Sequence, residues 1–572
     1  MKLSKSPIPW TPLLALLLGL LAFWAWAGAY TLAPGHIGWV MSGMDMQSQY
    51  LGWQFFRLEP WWQWPLGANP AYGSDAPGTI VLSDSIPLLA LALKPLSPWL
   101  HENFQYFGLW ALACFLLQGW FARKLMQRLT DDPVLQLAGT VFFLTASIFL
   151  LRIYVHPALA GQWLLLAGFC LALGKEFRTH AWLFLLCVAV LVHAYLFVML
   201  AALWGGDLAQ RWWRREGGRL RTSGHVATTV ILVAMLMWVA GYFVPGLKLT
   251  VPIRTHIDLW FPVWTGFPAA GEWSWFLPQS SHGTLDILAY DGFGYFGLGF
   301  LLLLPIAAIS SLLRSLHAPT KIAGGTIPTS SWTILTGVCL LLFVYALGNR
   351  VYLAQKLLFT YPLPDWLDHV YGVFRGAARM MWPMWYLLLI GTIVLSVRGL
   401  GTRRARWIMV VCALIQLSDL SVAAVNIRQF TATAQGWKSN MDSPLWNELA
   451  AGHRHVVYLQ PSTVPAGMLS YAKSYRRVAN YAATHGLTIN IAYLAREDGP
   501  RLATARNARV DLLMSGQAEP STFYVVADDP LWATLVCVRD STQWYGVVDG
   551  LRLVVPDPAP DLRSIPRVSC AK

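Results

Sequence analysis

Nine apolar stretches recur along this chain, near residues 12–31, 104–122, 134–151, 159–174, 226–245, 293–313, 333–348, 381–398 and 407–426. Each approaches the roughly 20 residues that a helix needs to cross the hydrocarbon core of a bilayer. A further apolar stretch, 181–207, is flanked by Lys175 and Arg178 on one side and by RWWRREGGRLR (211–221) on the other. Basic flanks mark the cytoplasmic side of a span, so this segment must leave and return. It is too short for two full spans at about 1.5 Å per residue. Two short helices meeting at His193-Ala194-Tyr195 are therefore expected, which brings the total to about eleven crossings.

Composition agrees with a lipid-facing surface. Of the 572 residues, 56% are hydrophobic and only 12% charged, whereas a soluble domain carries about 25% charged residues. The 30 Trp residues fit membrane–water interfaces, where indole rings gather. The net charge of +13 is spread over short segments between apolar stretches, as topology signals are, and forms no single patch for nucleic acid. A soluble globular enzyme is excluded. The expected class is a polytopic α-helical membrane protein of a bacterial inner membrane, with a cytoplasmic N-terminus.

An odd number of crossings leaves the C-terminus in the periplasm. The outer segments 32–103, 246–292, 349–380 and everything after 427 are long, while the inner ones are short, so the work is expected outside. The expected division is a transmembrane part, 1–427, with a large first outer loop at 32–103, and a periplasmic domain, 428–572. In that domain HVVYLQP (455–461), LTINIAYL (487–494) and TFYVVAD (522–528) alternate with helical stretches near 464–484 and 497–515. This order predicts a small α/β fold with a partly parallel sheet. No glycine-rich phosphate loop follows any of these strands. The segment 83–100 contains Pro87, Lys94, Pro95 and Pro98 and fits a helix in the outer interface better than a span. None of the seven cysteines forms a CxxC pair, so no metal cluster is indicated. Cys537 and Cys570 share the outer compartment, where a disulfide would close a loop of about 34 residues; two free thiols are the alternative.

Acidic residues are scarce, yet the first outer loop carries Asp45, Glu59, Asp75 and Asp84 among Trp39, Trp53, Trp61, Trp62 and Trp64. A carboxylate among rings at a lipid surface can act as a base toward a hydroxyl. Surface charges beside an aromatic belt are the plainer reading, and Asp84 equally suits a cap for a helix starting at Ile86. Cations for an anionic group come in two pairs four residues apart, Arg152 with His156 and Arg375 with Arg379, a spacing that shares one helical face. His193 and Tyr195 either line a site or satisfy broken helix ends.

The motifs DMQSQYLGWQFFRLEPWWQWPLG (45–67), LSDSIPLLALALKPLSP (82–98), HPALAGQW (156–163), DGFGYFGLG (291–299), FRGAARMMWP (374–383) and TINIAYLAR (488–496) resemble an uncharacterised family of bacterial membrane proteins. That family in turn resembles the GT-C glycosyltransferases. The resemblance implies transfer of a sugar from a polyprenyl-phosphate donor to a glycan or lipid acceptor outside the membrane. Asp45, shortly after the first span, would be the base, and Asp84 the second carboxylate. Arg152, His156, His193, Tyr195, Arg375 and Arg379 would bind substrate; no cofactor is expected, and because Asp45 in MDMQ is a single acid and not a pair, a divalent metal is not indicated. A transporter or flippase of a lipid-linked glycan, and a non-catalytic envelope assembly protein, are the competing classes.

Overall fold

Backbone amides and carbonyls that cannot reach water must pair within their own segment, and here they close mostly as helices. The structure is a computed structural model. It describes residues 10–558 except 43, 77, 217, 245–254, 268–270, 278–289, 316–328, 434–436, 462–471, 497 and 539–542, and beyond 558 only Leu562 and Val568. The chain divides into two compact units. The first comprises 1–33, 106–234 and 251–433, and the second 34–105, 235–250 and 434–572. Residues 34–105, most of the segment expected to be the first outer loop, thus belong to the same unit as the C-terminal α/β domain.

The first unit is helical. Helix Trp10–Trp26 packs on Phe107–Leu129, and glycines make the approach close. A Cβ on Gly19 would lie 2.7 Å from the Phe115 carbonyl oxygen, and one on Gly119 would lie 2.7 Å from that of Ala15. Small residues at such crossings replace the hydrophobic drive that lipid removes. Helix Leu298–Ser315 packs on Trp382–Leu400 and on Thr402–Asp419.

Among the described residues three helices are long and apolar enough to cross a membrane, Leu220–Ala240, Leu298–Ser315 and Ala377–Leu400, and up to five if each bent pair is one span. The expected eleven crossings are not reached. Part of the shortfall is length, since Trp10–Trp26 and Ser331–Leu347 are unbroken but short, and part is breaks inside the apolar stretches. The stretch 134–151 becomes helices Pro133–Leu144 and Ser147–Val155, bent by 44°, and 407–426 lies in Thr402–Asp419 and Ser421–Thr433, bent by 43°. The stretch 159–174 splits into a 3-10 turn, Pro157–Ala160, and the ten-residue helix Trp163–Ala172. The segment 181–207 is interrupted at His193, between helices Thr179–Val192 and Ala194–Trp213, which pack on each other. The two helices do meet at 193–195, although the second is 20 residues long.

Breaks in apolar helices carry polar groups. Asp419, at the second bend, is fully buried and accepts from Tyr295 Oη at 2.8 Å, the Leu298 amide at 2.9 Å and the Ser274 hydroxyl. Two short hairpins complete this unit, β1 (Gly266–Phe267) with β2 (Gly271–Glu272) and β3 (Arg350–Leu353) with β4 (Lys356–Thr360).

The second unit is built on a five-stranded sheet of β5 (His455–Leu459), β6 (Thr488–Ile489), β7 (Thr522–Val526), β8 (Trp544–Val548) and β9 (Leu551–Val555), in the order β6-β5-β7-β9-β8. β5 pairs parallel with β6 and β7, whereas β9 is antiparallel to both β7 and β8. The partly parallel α/β domain expected from the sequence is present, and the β8–β9 hairpin and helix Asp529–Val538 add to it. Val457, Leu459, Tyr524, Val526 and Val554 form its core with Leu513 and Leu535.

The first outer loop joins this sheet at its β6 edge. The amides of Gly73 and Ser74 donate to the Ile489 carbonyl at 3.0 and 2.9 Å, and the Ile489 amide donates to that of Ala71 at 2.9 Å. Helix Met44–Phe56 packs on helix Lys473–Thr484. The segment 83–100 forms helix Pro87–Leu93 and a 3-10 turn, Lys94–Trp99, too short to span. Cys537 is disulfide-bonded; its expected partner, Cys570, lies outside the described residues, and Cys114, Cys170, Cys187, Cys339 and Cys412 are free thiols.

Candidate functional site

In the first unit five of the residues expected to bind substrate form a chain of contacts, and an acid the sequence reading did not assign closes it. Asp291 lies in the turn Tyr290–Gly292, ahead of helix Leu298–Ser315. Its two carboxylate oxygens are divided. Oδ1 accepts from Arg152 at 3.1 Å, and Oδ2 pairs with Arg379 at 3.0 Å. A second Arg152 nitrogen donates to the Asp291 carbonyl at 3.2 Å. Burial alone would push the Asp291 carboxyl up, but the guanidinium groups of Arg379 and Arg152 hold it well below the usual carboxylate range. Arg152 is only 1% exposed, with its guanidinium 5.3 Å from the centre of the Trp382 ring.

Arg379 in turn lies 4.9 Å from the centre of the Tyr195 ring, a cation–π contact strengthened where water is excluded. Tyr195 Oη accepts from the Gly376 amide at 2.7 Å. Gly376 is needed there, because a Cβ would fall 2.9 Å from Tyr195 Oη and 3.1 Å from Arg379 Nε. His193 caps helix Ala194–Trp213, its Nδ1 accepting from the Tyr195 amide at 3.1 Å. That bond puts the proton of a neutral ring on Nε2. The His193 ring lies edge-to-face with His156 at 5.2 Å. So the cluster holds two guanidinium groups and two imidazoles around the Asp291 carboxylate. Such a group can hold an anion through charge-assisted hydrogen bonds.

The helical-face argument behind the two pairs does not survive. Helix Ser147–Val155 ends before His156, whose backbone is no longer helical, φ −152° and ψ 76°. Arg375 and Arg379 lie at a junction between helix Asp365–Val373 and the 3-10 turn Ala377–Met381. The Arg375 side chain finds no partner among the described residues. Only its carbonyl reaches the neighbourhood, accepting from the Thr255 amide at 2.9 Å, while Thr255 Oγ1 lies 3.5 Å from Asp291 Oδ2.

In the second unit Asp45 stands in the first turn of helix Met44–Phe56, half-buried, and accepts from Tyr493 Oη at 3.0 Å. Tyr493 comes from TINIAYLAR, so two quoted motifs meet here. Asp84 has a left-handed backbone, φ 53°, in a tight turn. The N-cap of helix Pro87–Leu93 is Ile86, with no side-chain cap, so Asp84 does not take the capping position. Asp75 is locked by Arg509 and Asn490, at 3.0 Å to one nitrogen of each. The loop indoles divide: Trp39 and Trp53 are core, while Trp61, Trp62 and Trp64 are exposed, Trp62 by 90%.

The residues missed from sequence are Asp291, Gly376 and Tyr493. Asp291 left a trace, a single acid immediately before an apolar stretch in a chain poor in acids. Tyr493 left none.

No curated protein and no solved structure matches the chain. A family model described as Domain of unknown function (DUF6311) matches residues 16–421, and one described as DUF6311 C-terminal domain matches residues 445–556. By that coverage the chain belongs to the DUF6311 family.

Proposed function

We propose that the chain is an inner-membrane glycosyltransferase of GT-C type, moving a sugar from a polyprenyl-phosphate donor to a glycan or lipid acceptor on the outer side. In this reading the shorter apolar helices Trp10–Trp26, Pro157–Ala172, Thr179–Val192 and Ser331–Leu347 cross the bilayer as well, as do Phe107–Leu129 and Ala194–Trp213, and the count rises to about eleven. The observation that carries the proposal is the contact chain from Arg152 through Asp291, Arg379 and Tyr195 to His193 and His156. Its members come from four separate stretches of sequence, and it gathers two guanidinium groups in a nearly dry setting. A departing polyprenyl phosphate is an anion, and preorganised cations stabilise charge that develops in the transition state.

Asp45 takes the base role. Its carboxylate accepts the proton of the acceptor hydroxyl, the acceptor oxygen bonds to the anomeric carbon, and the bond from that carbon to the phosphate oxygen breaks with inversion. Tyr493, which donates to Asp45 at 3.0 Å, orients the carboxylate. The two roles are separable by experiment. In membrane vesicles given a polyprenyl-phosphate sugar, Asp45→Asn should lower transfer by about 10²–10⁴-fold while donor binding is retained. Arg379→Gln should weaken donor binding itself. Unchanged transfer with Asp45→Asn at normal protein level removes Asp45 from the mechanism. Unchanged donor binding with Arg379→Gln removes the cluster.

A further inference from the structure

Away from the arginine–aspartate cluster, the first unit has two cavities that meet at the end of helix Ala194–Trp213. One, of about 1070 Å³, is lined by Lys175, Arg211, Arg215 and Arg221 against two acids, Glu176 and Glu216. The other, of about 700 Å³, is a groove between that helix and Arg219–Ala240, walled by Leu208, Trp212, Val226, Val230 and Ile231. Leu208, Trp212 and Thr222 line both, so a charged chamber continues into an apolar one.

The cations of the charged chamber are not equivalent. Arg211 is consumed by the fold: it pairs with Asp207 at 3.0 Å and Glu216 at 2.8 Å, and donates to the carbonyls of Gly174 and Lys175. It ties the turn at 174–175 to the helix end and forms a floor. Arg215 and Arg221 are exposed, and among the described residues neither side chain has a partner. Arg215 stands just past the helix in a left-handed backbone conformation, φ 55°, its amide donating to the Trp212 carbonyl at 3.0 Å. Trp212, at the mouth of the groove, is 61% exposed.

We propose that these joined cavities bind one anionic phospholipid, its headgroup phosphate held by Arg215 and Arg221 and an acyl chain lying in the groove toward Ile231. The charge balance favours that occupant. With Arg211 and Glu216 paired to each other, Lys175, Arg215 and Arg221 face Glu176 alone among the acids of the lining, and basic pockets at helix ends select anionic headgroups. A free phosphate leaves the groove unused, and a neutral lipid leaves the arginines unpaired. The site goes beyond the transferase reading and does not rest on it, since none of its residues belongs to the cluster around Asp291 or to Asp45.

The test is native mass spectrometry of the full chain in detergent, titrated with phosphatidylglycerol and with phosphatidylcholine of the same chain length. Phosphatidylglycerol should bind at roughly thirtyfold lower concentration, as two basic contacts imply. The double variant Arg215→Gln, Arg221→Gln should reduce it to the phosphatidylcholine level, whereas Arg215→Lys with Arg221→Lys should retain the preference, which separates loss of charge from loss of fold. Val230→Trp should fill the groove and weaken the long-chain lipid while leaving dihexanoyl phosphatidylglycerol unaffected. Equal binding of both headgroups, or an unaltered preference in the glutamine variant, overturns the proposal. So does displacement of phosphatidylglycerol by inorganic phosphate, or by an equimolar polyprenyl phosphate, because the phospholipid would not then be the selected occupant.

Discussion

Each unit holds a buried carboxylate in arginine's grip, and the two grips differ in how many cations share it. In the second unit Asp75 meets Arg509 two-pronged, with Asn490 on a second side, while Arg501 reaches its main-chain oxygen at 3.1 Å. One acid meets one guanidinium, and the pair fastens the loop to the sheet edge where residues 71–75 run beside β6. In the first unit Arg152 and Arg379 divide the two oxygens of Asp291, next to two imidazoles. A one-to-one pair closes a structure. Two guanidinium groups that divide one acid keep further donors for an anion, and this difference separates a fastener from a binding site.

The sharpest way to break the comparison is to remove both acids in turn. Asp291→Asn removes the carboxylate that Arg152 and Arg379 share, and breaking a buried pair this way costs about 3–5 kcal/mol. Asp75→Asn should cost less, about 1–2 kcal/mol, because Arg509 keeps 27% of its side chain exposed and can turn to water. Thermal melts of the two variants in detergent decide it. A larger loss for Asp75→Asn would make Asp75 the more tightly bound group and reverse the distinction. Next in size is Gly376→Ala. The new methyl collides with Tyr195 Oη and crowds Arg379 Nε, an overpacking worth about 1–3 kcal/mol. Donor binding should fall with it, since the collision displaces the ring under Arg379. A variant with wild-type melting and donor binding would show that the contact between Tyr195 and Gly376 does not set the cluster.

How far these two regions could be read from sequence follows from the physics of each. The α/β domain was legible because strand and helix alternate in composition, and β5, β6, β7 and helix Lys473–Thr484 fall where the runs predict. The joining of the first outer loop to that domain was not, because it depends on main-chain bonds such as Ser74 to Ile489, which any side chains could make. Apolar stretches marked the helices of the first unit but not their interruptions. Ala146 and Leu420 carry no breaker residue, and the bends there follow from tertiary groups such as Asp419. Spacing did pick out Arg152, His156 and Arg379, though for the wrong geometric reason. They converge through a turn, an N-cap and Asp291, and not along a helical face. Asp45 was singled out by the scarcity of acids, while its partner Tyr493 lies 448 positions away.

The smallest predicted effect tests how the second unit treats a buried cation when no acid grips it. Lys94 is 5% exposed and its ammonium stands 4.0 Å from the centre of the Phe56 ring, with no hydrogen-bond partner. Burial lowers its pKa to about 8, with Glu59 pulling the other way too weakly to restore it. The unfolded chain keeps that proton up to the ordinary lysine range, near 10.5. Between these values the unfolded state binds more protons than the folded one, so stability must rise with pH from about 8 to about 10.5. Below 8 both states are charged and the penalty is constant. Lys94→Met removes the titration and keeps the volume. It should raise the melting temperature at pH 7 by a few degrees, corresponding to about 1–2 kcal/mol, and flatten the melting profile across that alkaline window. If the substitution instead lowers stability at pH 7, the aromatic ring is holding the ammonium as firmly as Asp291 holds its arginines, and the contrast between the two units in how they keep buried charge fails at this position.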